Sequence, residues 1–248
     1  PVSLIWYKEE GYLKEGLVNF LGLMGYSYGD GQEIFSLQEF KDNFNIDKVT
    51  LGGPVFDLVK LGWVNNQHMK MKDLGELTRL TIPFFVQEGY FENENVSEKE
   101  FETLKKIVAI EREGAKTLKE IAKNSKFFFI DEFTLPEVKE DMDKKERKSI
   151  EKLLNSLQDE VGLKAIKLLI DKLEKWESNE FTAEEAKDLL HSLLDDLQEG
   201  PGKVFMPIRA VLTGEPKGAD LYNVLYVIGK ERALKRIKDT VKKYNIAL

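Results

Sequence analysis

The sequence predicts an all-α protein, and three observations predict it. Apolar residues recur at three- and four-residue spacing along most of the chain, with no alternating strand series. Four Ser/Thr-x-x-Glu boxes begin at Ser36, Ser97, Thr117 and Thr182. In each, the hydroxyl caps a free backbone N–H of the first helical turn while the Glu reaches back. The periodic runs stop at Gly or Pro, which relax the backbone or remove the next hydrogen-bond donor.

Taken in order, residues 12 to 24 place Leu13, Leu17, Phe20, Leu21 and Met24 on one helix face, with Gly25 at its end. A polar loop (YSYGDGQEIF) follows, and the Ser36 box opens a short helix carrying Phe40 and Phe44. Asp47 to Pro54 reads as a turn with two Gly. Phe56 to Asn65 resumes a helix, with Trp63 read as a core anchor. From Asp73 the pattern shifts to shorter helices, which marks a boundary between compact units. Leu74 to Glu88 is one helix with Pro83 as a kink or a new start. Boxes at Ser97 and Thr117 open the next two, and Phe127 to Ile130 forms an apolar plug. Residues 131 to 149 are mixed charge, expected as a solvated helix or connector. Leu153, Leu157, Val161, Ile166, Leu169, Ile170 and Leu173 then form a buried series before the Thr182 box. Gly200, Pro201 and Gly202 end that helix, and the stretch KVFMPIRAVLTG interrupts the helical pattern. Asp220 caps LYNVLYVI, Gly229 ends it, and a last helix turns Leu234, Ile237 and Val241 inward.

Composition narrows the function. The 248 residues carry a net charge of −7 and no Cys, so there is no disulfide framework, thiolate nucleophile or zinc-thiolate site. His68 and His191 stand in no metal-site or triad spacing, and His191 reads as a solvated helix residue. No run approaches the ~20 apolar residues that span a bilayer, and a soluble, cytoplasmic protein without membrane contact is expected. The chain starts on Pro and reads as a piece of something longer. The charge is uneven. From residue 201 onward there are 10 Lys or Arg against 4 Asp or Glu, so an acidic protein presents a basic end.

Within KVFMPIRAVLTG, Met206, Ile208, Val211 and Leu212 can bury around Arg209. Two roles are open to that guanidinium. It can close a salt bridge to a nearby carboxylate, or offer its planar fork of donors to a phosphate or base edge. In the last helix, Arg232, Lys235, Arg236, Lys242 and Lys243 are expected at the surface, free for solvent or phosphate.

Several stretches, in order, resemble bacterial-type glutamyl-tRNA synthetase. WYKEEGYLKEGLVNFLGLMGYSYGDGQEIFSLQEF resembles the segment after that family's KMSKS-like loop, and VTLGGPVFDLVKLGWVN resembles its FD-x-x-K-L-x-W-x-N signature. KTLKEIA, KVFMPIRAVLTG and IGKERALKRI complete the series, from Val2 to about Ile237, with least similarity between 131 and 180. A HIGH signature, a KMSKS loop and a nucleotide-binding α/β region are not found.

The resemblance implies the carboxy-terminal, tRNA-binding half of such an enzyme. It implies a stem-contact helical domain over residues 1 to 73 and a two-part helical anticodon-binding region, 74 to 130 and 131 to 248. The parent would be a ligase using ATP and Mg; this chain would hold no cofactor, metal or catalytic residue, and would act as a monomer. Arg209 matches a base-reading Arg and Leu221 an apolar residue packing near the anticodon. Lys60 falls in the stem-contact signature, and Lys203, Arg232, Lys235, Arg236 and Lys242 would attract phosphate. Discriminating members carry an Arg three residues before the Thr-Leu of KTLKEIA; Gly114 stands there, with Arg112 as a possible substitute, so a parent that accepts both glutamate and glutamine tRNAs is expected. The competing expectation, from a different class, is a helical protein-interaction scaffold whose basic carboxy end binds an acidic partner.

Overall fold

The computed structural model describes residues 3–26, 31–49, 52 and 55–248. Among them the protein is built of thirteen α-helices, one short 3-10 helix and a single isolated β-bridge. Part of the expected polar loop (27–30) and half of the Gly-containing turn (50, 51, 53 and 54) lie outside the described residues. No described helix is long and apolar enough to cross a membrane. The chain divides into two compact units, Pro1–Lys126 and Phe127–Leu248.

The amino-terminal unit holds α1 (Leu4–Glu9), α2 (Lys14–Gly25), α3 (Leu37–Asn43), α4 (Leu58–Met71), α5 (Leu74–Gln87), α6 (Glu98–Glu111) and α7 (Leu118–Asn124). Ser36 and Ser97 close both bonds of their capping boxes. Thr117 makes only half of one: its hydroxyl accepts from Glu120 N–H, but the Glu120 carboxylate turns to Lys116 N–H at 2.6 Å. Asp57, absent from the expected signals, caps α4 through Val59 and Lys60 N–H. Pro83 sits inside a continuous α5.

Helix α2 packs on α4, and α5 packs on α6 and α7. Three asparagines fix this arrangement. Asn65 accepts from Leu13 N–H at 2.8 Å and donates to Lys116 O at 2.7 Å. Asn66 donates to Arg112 O and Ala115 O. Asn19 donates to Glu33 O, accepts from Phe35 N–H and bonds the ring of His68 at 2.8 Å. Only Gly fits at position 16, because an added Cβ would lie 2.9 Å from the Asn65 Cα. Tyr7, Phe20, Leu61 and Val64 form one buried cluster beside these bonds. Two expectations fail here. Trp63 is 42% exposed and is no core anchor, and Leu21 also faces solvent. The inward positions are Leu61 and Val64 on α4 and Phe20 on α2.

The carboxy-terminal unit holds α9 (Lys144–Ser156), α10 (Glu160–Lys175), α11 (Ala183–Leu197), α12 (Pro201–Thr213) and α13 (Leu221–Lys243); the four-residue α8 (Lys126–Phe129) lies at the boundary and buries Phe127 and Phe128. The charged stretch from 131 is irregular until Asp143 caps α9. Asp159 caps α10, and Thr182 forms a complete box on α11. Helix α12 packs on α9, α10 and α13, and α11 packs on α13. KVFMPIRAVLTG does not interrupt the helices; it is helix α12. Pro201 occupies its first turn, where a missing N–H costs nothing, and Gly214 closes it with φ +69°.

The last expected break is present. Gly229 adopts φ 75°, ψ 174° inside α13. Asn179 occupies the break, its O accepting from Lys230 N–H and its Oδ1 from Glu231 N–H, each at 2.8 Å.

Candidate nucleic-acid interface

Arg209 lies in the last turns of α12, half-buried. Its Nη2 donates to Ala219 O at 2.8 Å, and its own carbonyl accepts from Thr213 Oγ1. Burial lowers its pKa, opposed by the nearby Asp220 carboxylate. Among the described residues it forms no ion pair, so the salt-bridge role is not taken up and most of its five donors stay uncommitted. The loop it touches leads through Asp220 into Leu221, buried at the start of α13. The structure thus brings Arg209 and the segment of Leu221 together.

Arg112 and Gly114 belong to the amino-terminal unit. Arg112 caps the end of α6, and Asn66 holds the turn from 112 to 115. The Arg112 Nε is buried and 3.8 Å from Glu113 Oε1. Gly114 is exposed, and a Cβ added there meets nothing within 4 Å. A larger side chain fits without strain.

Beside this turn, Glu111 Oε1 is buried with no hydrogen-bond partner among the described residues, and burial pushes the carboxyl pKa up to about 7. The folded state therefore favours the protonated form, and stability falls as pH rises from the ordinary carboxylate range through about 7. Allowing for solvent screening, Glu111→Gln should add ~1–2 kcal/mol at pH 8 and little at pH 4. Melting temperatures across pH 4 to 8 check this; a parallel profile for both proteins would contradict it.

The basic residues divide. Lys60 pairs with Glu33 at 2.6 Å, Lys203 with Glu199 at 3.0 Å and Lys235 with Asp239 at 2.9 Å, all with partly exposed side chains. Such surface pairs exchange partners at small cost. Lys242 is exposed with no ion pair among the described residues. Lys243 donates to Phe133 O.

Arg236 is a correction. Expected at the surface, it is 1% exposed, and its guanidinium donates to Asp131 at 2.9 Å, to Phe127 O at 2.6 Å and to Leu212 O at 3.2 Å. Arg232 is half-buried and joins the same carboxylate at 2.8 Å and Phe128 O at 3.0 Å. Burial would raise the Asp131 pKa, but the bonds from Arg232 and Arg236 outweigh it and hold it below the ordinary value. Asp131 escaped the sequence reading because it opens a charged stretch; its signal was its place directly after the apolar plug.

Residues 76–241 match the family model described as the anticodon binding domain. The chain belongs to the anticodon-binding domain family. Residues 2–63 match a second model, the catalytic domain of class I tRNA synthetases (E and Q). The whole chain is 88% identical to a glutamate–tRNA ligase from Fusobacterium nucleatum, of which it covers 49%, the carboxy-terminal half. It is 35% identical over 96% of its length to glutamate–tRNA ligase 1 of Caldicellulosiruptor saccharolyticus, covering 46% of that protein. A crystal structure of a glutamate tRNA ligase from Elizabethkingia meningosepticum in complex with its amino acid superposes with a TM-score of 0.72 at 30% identity, over 95% of this chain and 42% of that one. The chain thus spans about half the length of the curated relatives it matches. This anticodon-binding family member carries Arg209, Leu221, Arg112 and Gly114 within the matched region.

Proposed function

We propose that this chain is the tRNA-recognition half of a glutamate–tRNA ligase, a cytoplasmic enzyme that joins glutamate to tRNA with ATP and Mg in its other half. On its own the chain binds tRNA as a monomer and catalyses nothing. Residues 1 to 73 contact the inner stem of the tRNA, and 74 to 130 and 131 to 248 grip the anticodon. The observation that carries the reading is the anticodon-binding match across 76–241. Arg209 supports it, since a half-desolvated guanidinium with uncommitted donors suits a splayed loop base. Lys60 near the stem and Lys203, Lys235 and Lys242 on the basic end supply phosphate attraction that weakens with salt. Binding far from the reacting bond selects and orients the correct tRNA.

The parent accepts both glutamate and glutamine tRNAs. Gly114 has no side chain to donate to one base or obstruct a larger one, and Arg112, engaged with Glu113, is poorly placed to substitute. The test compares affinities for both tRNAs and for an unstructured RNA of equal charge, at moderate salt. Near-equal tRNA affinities well above the unstructured control are expected, with Gly114→Arg creating a preference for glutamate tRNA. A wild-type preference above about tenfold, ~1.4 kcal/mol, would contradict the relaxed specificity. Equal affinity for the unstructured RNA would favour a protein-interaction scaffold instead.

A further inference from the structure

The amino-terminal unit holds a cavity of about 530 Å³ between the start of α2, the segment Ile34 to Glu39 and the end of α4. Its apolar walls are Val18, Ile34, Phe35, Leu37 and Met71. A volume of this order, apolar walls and few polar groups are what small-molecule sites have in common. Most of the polar groups on the lining are committed. Ser36 and Glu39 satisfy each other in the capping box of α3, Glu15 pairs with Lys72, and Lys14 is exposed to water.

His68 is different. It is 7% exposed, it lines the cavity, and its Nε2 lies 2.8 Å from Asn19 Oδ1. Asn19 Nδ2 donates to Glu33 O and Oδ1 accepts from Phe35 N–H, which fixes the amide and makes Oδ1 the acceptor. Nε2 must then carry the proton, and in the neutral ring Nδ1 is left as an acceptor. Burial lowers the His68 pKa against the nearby Glu15 carboxylate, so the ring is neutral at neutral pH. Nδ1 has no partner among the described residues and is not sealed from the surface. Among those residues no group of His, Asp and Glu is placed to hold a metal ion.

We propose that this cavity binds a small neutral phenol or aromatic alcohol, its hydroxyl donating to His68 Nδ1 and its ring filling the apolar space. A hydrocarbon would leave the acceptor unpaired, a carboxylate has no proton to donate, and a peptide would bring backbone groups that apolar walls do not satisfy. The site uses none of the residues assigned to tRNA, so it stands or falls apart from that reading.

The test titrates the chain with p-cresol and with its methyl ether, which keeps the ring and lacks the donor, and follows the methyl signals of Ile34, Leu37 and Met71 by NMR. Saturable shifts are expected for both, with p-cresol bound about fivefold more tightly, the effect of one neutral hydrogen bond. His68→Phe keeps an aromatic ring, removes the acceptor and should make the two ligands equal. Val18→Trp fills the cavity and should abolish binding of both. If His68→Phe does not fold, the wild-type pair of ligands and Val18→Trp decide. Absence of a saturable shift, equal affinity of the wild-type protein for the two ligands, or a preference that survives His68→Phe overturns the proposal. Binding that survives Val18→Trp also overturns it, since the ligand would then sit elsewhere.

Discussion

Asp131→Ala should destabilise the carboxy-terminal unit by ~2–4 kcal/mol, somewhat less than the ~3–5 kcal/mol expected when one partner of a fully buried ion pair is removed. Arg236 is 1% exposed and cannot reach water when its carboxylate is gone. The two carbonyls of Phe127 and Leu212 stay bonded to it, but neither neutralises the charge. Asp131 itself is partly exposed, which moderates the effect. Adding Arg236→Met to Asp131→Ala removes the stranded charge and should recover part of the loss, the remainder being the cost of leaving Phe127 O and Leu212 O without their donor. Chemical denaturation of the three proteins decides it; a single-variant loss below about 1 kcal/mol would place Asp131 among ordinary surface pairs. The same carboxylate has a depressed pKa in the fold. Its contribution is therefore present above the unfolded carboxylate value and lost as pH falls through the folded one.

Arg209→Ala should weaken cognate tRNA binding by ~1–3 kcal/mol, the worth of one good bidentate base contact, and spare the fold. Only one described bond, to Ala219 O, is lost with it. Lys242→Ala should act differently, weakening all tRNAs alike and reducing the salt slope by about one unit. Affinity titrations at several salt concentrations separate them. Equal, base-independent losses for both variants would remove Arg209 from the reading role.

The helices were legible where a local rule sets them. Ser36, Ser97 and Thr182 close their boxes within one turn of chain, and Gly229 breaks α13 because its backbone conformation is local. KVFMPIRAVLTG misled because Pro207 and Pro201 read as breakers, although a first-turn Pro is favoured and α12 is held by burial of Val204, Ile208, Val211 and Leu212. Side-chain fate was legible only where the partner is near in sequence. Arg236 looked like one more surface cation because its carboxylate lies 105 residues away. Trp63 looked like core because size predicts burial, whereas its helix face is uncovered. Of the candidate interface, Arg209 was found from its apolar setting, but its bond to Ala219 depends on a loop conformation that spacing does not encode.

The asparagine bonds of the amino-terminal unit also set when it can fold. Asn65 reaches Leu13 across 52 residues and Lys116 across 51, and Asn66 reaches Ala115 across 49. Pairings of this range form only after loop closure, so the bonds that tie α4 to the turn before α7 come late while the chain is being made. On the ribosome, the side-chain amide N–H groups of Asn65 and Asn66 stay bonded to water until the turn before α7 emerges from the exit tunnel and offers the Lys116 and Ala115 carbonyls. A nascent chain cut at residue 73 would lack Lys116 and Ala115 as acceptors, and two side chains meant for the interior would be left facing water.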